Sequence, residues 1–272
     1  MATLYLVPTP IGNLEDITLR ALRILKEVDL IAAEDTRTSR KLMEHYDIQT
    51  PMTSYHEHST LGKTEAIFEI LAQGRDVALI SDAGTPGISD PGYELIQLAI
   101  NAGVQIVPLP GANAITTALV ASGLPTDAFS FFGFLPRKYQ ALYDFLSGLE
   151  DRRETLIFYE SPNRLVESLH VLQEVFGDRP GVVAREVSKF YEEFRRDSLG
   201  GLITYYSETA PRGEITLLVG GNPGPGDGAW NEDEVRAAMR DLIADGEKRS
   251  SAAKIVAEQS GWERRDVYNL DL

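Results

Sequence analysis

The chain contains no cysteine, and only four of its 272 residues are histidine. Disulfide bonds, thiolate metal sites and cysteine nucleophiles are therefore excluded, and four imidazoles offer few ligands for a metal cluster. Long hydrophobic runs are also missing, since no stretch approaches the roughly 18 apolar residues that a membrane-spanning helix needs. The first residues lack the basic and then apolar pattern of a secretion signal. We therefore expect a cytoplasmic protein with no metal and no membrane partner.

Basic residues are scarce, because 26 Lys and Arg stand against 41 Asp and Glu, for a formal net charge of −15. Nonspecific binding to nucleic acid depends on Lys and Arg that displace the counterions of phosphates, so this charge argues against broad affinity for RNA or DNA. Any contact with nucleic acid must be local, at pairs such as Lys248 and Arg249 or Arg264 and Arg265. For any single pair, a solvated surface charge is the commoner interpretation.

Common signatures of nucleotide, metal and hydrolase chemistry are absent as well. The sequence has no Walker-type GxxxxGK[ST] motif and no GxGxxG motif that opens a helix. It also has no HExxH metal motif and no GxSxG motif for a serine nucleophile. ATP or NAD chemistry by the common folds, metal catalysis and hydrolysis by a triad therefore lack support.

What the sequence does have is a regular alternation of strand-like and helical segments, which is typical of α/β domains. In the first half, strands are predicted at TLYLVPTP, LIAAED, DVALIS and VQIVPLPG. A helix is predicted over 18–28, with Leu19, Leu22, Leu25 and Val28 on one face. A second helix is predicted from Ser59 or Thr60 to Gln73, and Gly74 ends it in the left-handed conformation. Further helices are predicted at GYELIQLAINAG and from about Ala112.

The alternation continues in the second half, with strands at ETLIFYES, GVVAREVS and GEITLLVGG and a helix over 164–176. The segment PTDAFSFFGFLP mixes aromatic and turn residues, and we place a domain boundary there. The run GNPGPGDGAW is dense in Gly and Pro and predicts a linker. The sequence thus predicts an α/β protein with two α/β domains over 1–122 and 123–221, a linker over 222–230 and a helical tail over 231–272.

Three loops rich in Gly and Pro follow predicted strands of the first half: VPTPIGN over 7–13, SDAGTPGISDPG over 81–92 and PLPGANA over 108–114. Glycine lets backbone groups approach a ligand closely, and proline fixes a loop before binding. In open α/β sheets, ligands bind at the carboxyl ends of the strands. Three such loops therefore indicate a ligand site, although an elaborate strand-to-helix turn is the alternative for 81–92.

These loops, together with AAEDTR, IFYESPNR and AREVSK, resemble the tetrapyrrole methylase superfamily over residues 3–221. The resemblance implies two α/β domains with S-adenosylmethionine in the cleft between them, no metal, and a homodimer. Corrin and porphyrin methylases of the superfamily carry a GxGPG-type loop and a GDP loop, whereas this chain has VPTPIGN and AGTP at those places. The difference favours the RNA-modifying branch, for which the resemblance implies 2'-O-methylation of a cytidine in the decoding region of 16S rRNA. The strong acidity favours the assembled small ribosomal subunit as substrate over free rRNA.

The resemblance also implies a set of residues around the methyl donor. We add Asp82 to it, because a carboxylate could meet the ammonium or sulfonium group of the donor, and capping of the following turn is the alternative for this residue. The implied residues are Pro10, Ala83, Gly84, Thr85, Ile88, Asn113 and Ala114 from the first domain and Glu160 and Val187 from the second.

Methyl transfer to a ribose requires the hydroxyl to lie in line with the donor methyl group, and a nearby group to accept its proton. Glu34, Asp35, Lys189 and His56 are the candidates for this proton acceptor, and the sequence does not decide between them. Arg37 follows the same strand as Glu34 and could hold an RNA phosphate. A surface salt bridge with Glu34 or Asp35 is the alternative for Arg37.

The tail predicts one helix from about Ser250, a break at Gly261 and another helix from about Glu263, which resembles a helix-turn-helix unit. The alternative is a plain helical hairpin packed on the core through Ile255, Val256, Trp262, Val267 and Tyr268. We expect elements of both, with one face packed and the other face in contact with rRNA. The residues expected on that second face are Lys248, Arg249, Lys254, Arg264 and Arg265.

Two other functions remain open on the sequence. An enzyme with the same donor could methylate a tetrapyrrole, although the loop differences argue against this acceptor. A noncatalytic regulator could sense a ligand and contact nucleic acid through the tail, although the acidity and the lack of a strongly basic recognition helix argue against it.

Overall fold

The computed structural model describes residues 2–56, 61–223, 230–244, 246–262 and 264–270, and in it two sheets are followed by a helical tail. Strands and helices alternate through both sheets, which confirms the predicted α/β class. Among the described residues, no helix is both long enough and apolar enough to cross a lipid bilayer.

The first sheet is parallel, with the strand order β3-β2-β4-β1-β5. Parallel neighbours need crossover connections, and a helix follows each of the first four strands for this reason. All five strands end at one edge, which brings the loops after them together. The elements are β1 (Thr3–Leu6), α1 (Leu19–Glu27), β2 (Leu30–Ala33), α2 (Thr36–His45), β3 (Met52–Ser54), α3 (Leu61–Ala72), β4 (Val77–Ile80), α4 (Tyr93–Asn101) and β5 (Gln105–Pro108).

Strand β4 shows why the strands of this sheet have uninterrupted apolar sequences. Successive side chains of a strand point to opposite faces, and here helices cover both faces. Val77 and Leu79 therefore pack in one buried cluster, and Ala78 and Ile80 pack in another.

The second sheet is mixed, with the order β6-β7-β10-β8-β9. Strand β6 pairs parallel to β7, and the other neighbours pair antiparallel. The elements after β5 are α5 (Ala114–Ser122), β6 (Phe129–Phe134), α6 (Tyr139–Ser147), β7 (Thr155–Glu160), α7 (Leu165–Phe176), β8 (Pro180–Arg185), β9 (Glu193–Ser198), α8 (Leu199–Glu208) and β10 (Ile215–Val219).

Helix α5 connects the two sheets. Its buried residues Ile115, Ala118 and Leu119 share a hydrophobic cluster with Ile157 and Leu218 of the second sheet. The helix ends at Ser122 with Gly123 in the left-handed conformation. We retain residues 122 and 123 as the proposed domain boundary, and this packing fixes the carboxyl edge of the first sheet against the second domain.

The tail consists of α9 (Glu232–Ala244), α10 (Arg249–Ser260) and α11 (Arg264–Asn269), with a left-handed Gly261 at the predicted break. Its hydrophobic cluster is made of described residues between 230 and 270, so the tail has a core of its own, whereas the sequence predicted a face packed on the protein core. Val256 and Val267 are buried as predicted, but Tyr268 is 46% exposed, because the helices bury their apolar residues against α9.

The predicted apolar face of α1 is wrong in part. Leu19 is 85% exposed, and the buried positions include Ala21, Ile24, Leu25 and Val28. The predicted face spaced its residues by three, and such a series drifts around a helix of 3.6 residues per turn. Residues 21, 24, 25 and 28 instead follow the spacing of one helical face.

The prediction also omitted α2, β3, β6, α6, β9 and α8. Ser59 and Thr60, the predicted start of the second helix, lie outside the described residues. The same holds for Glu263 and for 224–229 within the predicted linker. Gly74 has the predicted left-handed conformation, with φ of 84°.

Candidate functional site

A cavity of about 320 Å³ lies between the carboxyl edge of the first sheet and the second sheet; we call it the first cavity. Its size is in the range of small-molecule sites. The lining residues from the loops after the strands of the first sheet and from the start of α5 are Ile11, Ala83, Gly84, Thr85, Ile88, Ser89, Asp90, Asn113 and Ala114. Those from the strands and loops of the second sheet are Phe134, Tyr159, Glu160, Ser161, Pro162, Val187, Gly213, Glu214, Ile215 and Thr216.

Hydrogen bonds join the three Gly- and Pro-rich loops at this cavity. The backbones of Thr9 and Gly84 exchange two hydrogen bonds, of 2.9 and 3.0 Å. Thr85 Oγ1 donates to the carbonyl of Ala112 at 3.3 Å. Gly84 has a φ of 83°, and a Cβ there would lie 3.3 Å from Ile11 Cγ2. The glycine therefore provides both a left-handed backbone and a close approach between two loops.

The start of α5 also faces the first cavity. Asn113 caps the helix, because its side-chain oxygen accepts from the backbone N–H groups of Ile115 at 2.9 Å and Thr116 at 3.2 Å. Asn113 and Ala114 both line the cavity. The partial positive charge of a helix N-terminus is thereby directed toward it.

Glu160 ends β7 at the opposite wall, and its carboxylate is fully buried. Arg164 and the backbone N–H of Ser161 donate to Oε1, each at 2.5 Å. Ser168 Oγ donates to Oε2. Because protein donors bind both oxygens, Glu160 holds the segment 161–162 in place at the cavity.

The structure brings most of the predicted donor residues together. Each of them lines the first cavity except Pro10 and Asp82. Pro10 precedes the lining residue Ile11, and Asp82 points to a neighbouring loop. Tyr159, Ser161 and Pro162 lie in a motif of the resemblance but were not singled out. Phe134 and 213–216 lie in segments that were predicted as a domain boundary and as a strand, but nothing in the sequence placed them at a ligand site, because their place depends on the pairing of the second sheet.

Asp82 and Glu34 connect the loops after β4 and β2. Asp82 Oδ1 accepts from the backbone N–H of Asp35 at 3.0 Å, and Glu34 Oε2 accepts from the backbone N–H of Asp82 at 3.1 Å. The alternative for Asp82 was capping of the following turn, but its carboxylate instead binds the loop after β2. Burial raises the pKa of Glu34, and the negative charges of Asp82 and Asp35 add to this effect.

Asp35 and Arg37 form the salt bridge that was the alternative for Arg37. Arg37 Nη2 lies 2.6 Å from Asp35 Oδ2, and the Arg37 side chain is 87% exposed. Hydrogen bonds from the side chain and backbone of Arg37 lower the pKa of Asp35 to about 2. A carboxylate with so low a pKa is a weak base, which argues against Asp35 as the proton acceptor.

Lys189 is held by two carboxylates, with Nζ 2.9 Å from Glu186 Oε1 and 3.1 Å from Glu214 Oε2. Burial alone would lower the pKa of Lys189, but its hydrogen bonds and charge interactions with Glu186 and Glu214 outweigh burial, and the pKa is raised. Lys189 is therefore protonated at neutral pH. This state argues against the predicted role of Lys189 as a proton acceptor.

A second cavity, of about 450 Å³, adjoins the first. Glu34 and His56, two of the predicted proton acceptors, line it. The two cavities share Ser89 and Asp90, in the segment 81–92. The residues that line the second cavity are Glu34, Tyr55, His56, Thr64, Ser89, Asp90, Pro91, Gly92, Tyr93 and Glu94.

Asp90, which lines both cavities, is a titratable residue that the sequence did not single out. Burial raises its pKa to about 6, and the negative charges of Glu34 and Asp82 contribute, while a hydrogen bond with Ser81 opposes them. Ser89, which precedes it, has a left-handed φ of 60°, a strained conformation for a residue other than glycine. Only its place in the motif 81–92 could have indicated Asp90.

The five basic residues predicted on the tail surface are all exposed. Arg249 and Arg264 also bind within the tail: Arg249 donates to the carbonyls of Tyr268 at 3.0 Å and Leu270 at 2.6 Å, and Arg264 donates to that of Ser250 at 3.4 Å. These two arginines thus connect α10 to α11. Their predicted contact with rRNA has to be made by groups that already have a structural role.

Comparison with known proteins gives consistent results for sequence and fold. The family model of tetrapyrrole (corrin/porphyrin) methylases matches residues 3–203. The protein named ribosomal RNA small subunit methyltransferase I from Halalkalibacterium halodurans is 47% identical to this chain, over 98% of this chain and 94% of that protein. The protein of the same name from Synechocystis is 45% identical, over 100% of this chain and 98% of that protein. Uroporphyrin-III C-methyl transferase from Thermus thermophilus, solved with S-adenyl homocysteine, aligns with a TM-score of 0.55 at 19% identity, over 80% of this chain and 97% of that one.

Proposed function

Because the chain belongs to the tetrapyrrole (corrin/porphyrin) methylase family, we propose that it transfers a methyl group from S-adenosylmethionine to the ribose 2'-hydroxyl of a cytidine in 16S rRNA. The observation that carries this proposal is the similarity, at 45% to 47% identity, to relatives named for small subunit rRNA methylation. That similarity extends over nearly the whole chain and therefore includes the tail. The likeness to a porphyrin methylase is at 19% identity and supports the fold alone.

The residues of the first cavity fit S-adenosylmethionine, which supplies a methyl group on a positively charged sulfur. Ile11, Ile88 and Val187 offer apolar surface for an adenine ring. Glu214 offers negative charge to the cationic groups of the donor. We propose that the donor also contacts the predicted lining residues Ala83, Gly84, Thr85, Asn113, Ala114 and Glu160.

The proposed RNA contacts lie outside the first cavity. Arg37 is exposed beside the acidic loops, so an RNA phosphate could approach its guanidinium. The basic residues of the tail would add local positive charge to a protein whose net charge is −15. With so little general attraction for phosphate, recognition of the assembled small subunit is favoured over binding to free rRNA.

Transfer of labelled methyl groups from S-adenosylmethionine tests the proposed acceptor. The substrates are small ribosomal subunits that lack native modifications, naked 16S rRNA and a tetrapyrrole precursor. We expect label on one cytidine ribose of the subunit RNA. Label in the tetrapyrrole alone would overturn the acceptor, and tight donor binding without any transfer would favour a ligand-sensing regulator.

We also propose a homodimer, as the family resemblance implies. Light scattering coupled to size-exclusion chromatography measures the mass of the particle in solution. A mass of twice 30.0 kDa is expected, and a monomer at the concentrations used for activity would contradict it.

A further inference from the structure

Asp90 lies at the junction of the two cavities. It lines the first cavity, proposed for the donor, and also the second cavity, where Glu34 and His56 lie. The acceptor hydroxyl must meet the donor methyl in line, so a group that accepts the hydroxyl proton is expected where the two cavities join. Of the carboxylates in the acidic loops, Glu34 lines only the second cavity, and Asp35 and Asp82 line neither.

At the second cavity, one buried polar group has no hydrogen-bond partner within the part of the chain that the structure describes. Thr64 of α3 lines this cavity and is 2% exposed, and its buried Oγ1 has no hydrogen-bond partner among the described residues. Buried hydroxyls without partners are rare in folded proteins, and each one calls for an explanation. A polar ligand with hydroxyl groups would satisfy Thr64, and a ribose is such a ligand.

We propose that the second cavity holds the acceptor ribose and that Asp90 accepts the proton of its 2'-hydroxyl. This inference rests on the proposed methyl transfer and deepens it. The ribose oxygen forms the new bond to the methyl carbon, while the bond between that carbon and sulfur breaks and its electron pair goes to sulfur. The hydroxyl proton passes to a carboxylate oxygen of Asp90, which becomes neutral and later releases the proton to water.

The charges around Asp90 suit a proton acceptor at neutral pH. Glu34 faces it from the end of β2, and Asp82 and Ser81 face it from its own loop, while Tyr159 of β7 interacts with it from the second sheet. His56 and Glu94 share the second cavity. A pKa of about 6 makes Asp90 a stronger base than an ordinary carboxylate and leaves it mostly ionised at pH 7.

Asp90→Asn keeps the shape of the side chain and removes its basicity. We expect methyl transfer to small subunits to fall by about 10²–10⁴-fold, the usual contribution of a general base, while the dissociation constant of S-adenosylmethionine measured by calorimetry stays near that of the wild type. Asp127→Asn, an exposed aspartate that lines neither cavity, is the matched control and should retain full activity.

Glu34→Gln tests whether Asp90 acts as the base, because the pH profile of activity should then follow the pKa of Asp90, whereas a structural role of Asp90 predicts no such link. Removal of the neighbouring negative charge should lower the pKa of Asp90. The acid limb of the activity profile, and the titration of the Asp90 carboxyl carbon followed by NMR in the donor-free protein, should both move to lower pH. An acid limb that stays in place while the titration of Asp90 moves would contradict the assignment.

Thr64→Val tests the second cavity separately, because it replaces the unpartnered hydroxyl by a methyl group of similar shape. A structural role predicts a neutral or stabilising change. The proposed role predicts a higher KM for the small subunit with unchanged donor affinity, and an unchanged KM would overturn the ribose position.

The outcomes for Asp90 distinguish this inference from the proposed function. A fully active Asp90→Asn variant beside an active wild type overturns the role of Asp90 alone. Loss of donor affinity in that variant makes Asp90 a donor-binding residue and also overturns the inference. A wild type that methylates no RNA overturns the proposed function, and the inference with it.

Discussion

The buried charge of Asp90 destabilises the folded protein, so the free energy of unfolding should depend on pH. Its pKa is raised by burial to about 6 from an ordinary value of 3.8, so the folded protein binds more protons than the unfolded chain between these two pH values. The free energy of unfolding therefore falls as the pH rises through this window. The carboxylate is placed where its charge is unfavourable, as is common at functional sites.

Asp90→Asn should consequently stabilise the protein at neutral pH. We expect a gain of about 1 kcal/mol at pH 7, after allowance for solvent screening of a half-buried group, and little gain near pH 4. Urea unfolding of both proteins at the two pH values measures the difference. A variant that is destabilised at pH 7 would show that the carboxylate supports the fold.

Arg37 has a salt bridge, but an exposed pair of this kind contributes little to stability, because water screens both charges. Arg37→Ala should therefore leave the free energy of unfolding nearly unchanged and weaken binding to the small subunit, if the guanidinium contacts a phosphate. Arg23 of α1 is a matched control, because it also pairs with a carboxylate at 2.6 Å on the surface. Equal subunit affinity of the Arg37→Ala and Arg23→Ala variants, measured by filter binding, would remove Arg37 from the RNA interface.

At the scale of elements, the loop over 81–92 depends on glycines in the left-handed region. Gly84 and Gly74 have nearly the same φ, 83° and 84°, but a Cβ on Gly84 would press against Ile11, whereas a Cβ on Gly74 would have nothing within 4 Å. Alanine at either position should cost about 1–2 kcal/mol, because an L-residue is strained in this conformation. Only Gly84→Ala should also change the shape of the first cavity.

Donor binding by the two variants separates these effects. We expect Gly84→Ala to weaken the calorimetric affinity for S-adenosylmethionine and Gly74→Ala to leave it unchanged. Similar donor affinities at a similar loss of stability would mean that the loop after β4 does not position the donor.

The same loops explain how much of the site the sequence could predict. The carboxyl ends of parallel strands meet at one edge, so loops recognised one by one had to converge, and Gly84, Thr85 and Asn113 line the first cavity together. Phe134 and Thr216 depend on which strands of the mixed sheet are neighbours, which no local pattern determines. The burial of Asp90 likewise follows from tertiary packing.

At the scale of the whole molecule, the tail has its own hydrophobic core, so its removal should leave the α/β body folded. A chain that ends at residue 223 should bind S-adenosylmethionine as the full chain does and lose most methyl transfer to small subunits. Equal loss of donor binding and of transfer would indicate that the tail supports the fold of the first cavity.

Charge reversal in the full chain tests the tail surface without a deletion. Lys248 and Arg265 are exposed, and their side chains form no hydrogen bond within the described residues, whereas Arg249 and Arg264 hold the tail together. The double variant Lys248→Glu, Arg265→Glu should therefore keep the tail folded, raise the KM for small subunits and reduce the dependence of that KM on salt. A KM and salt dependence equal to those of the wild type would leave the tail with a structural role, and RNA recognition would then rest on the acidic body and Arg37.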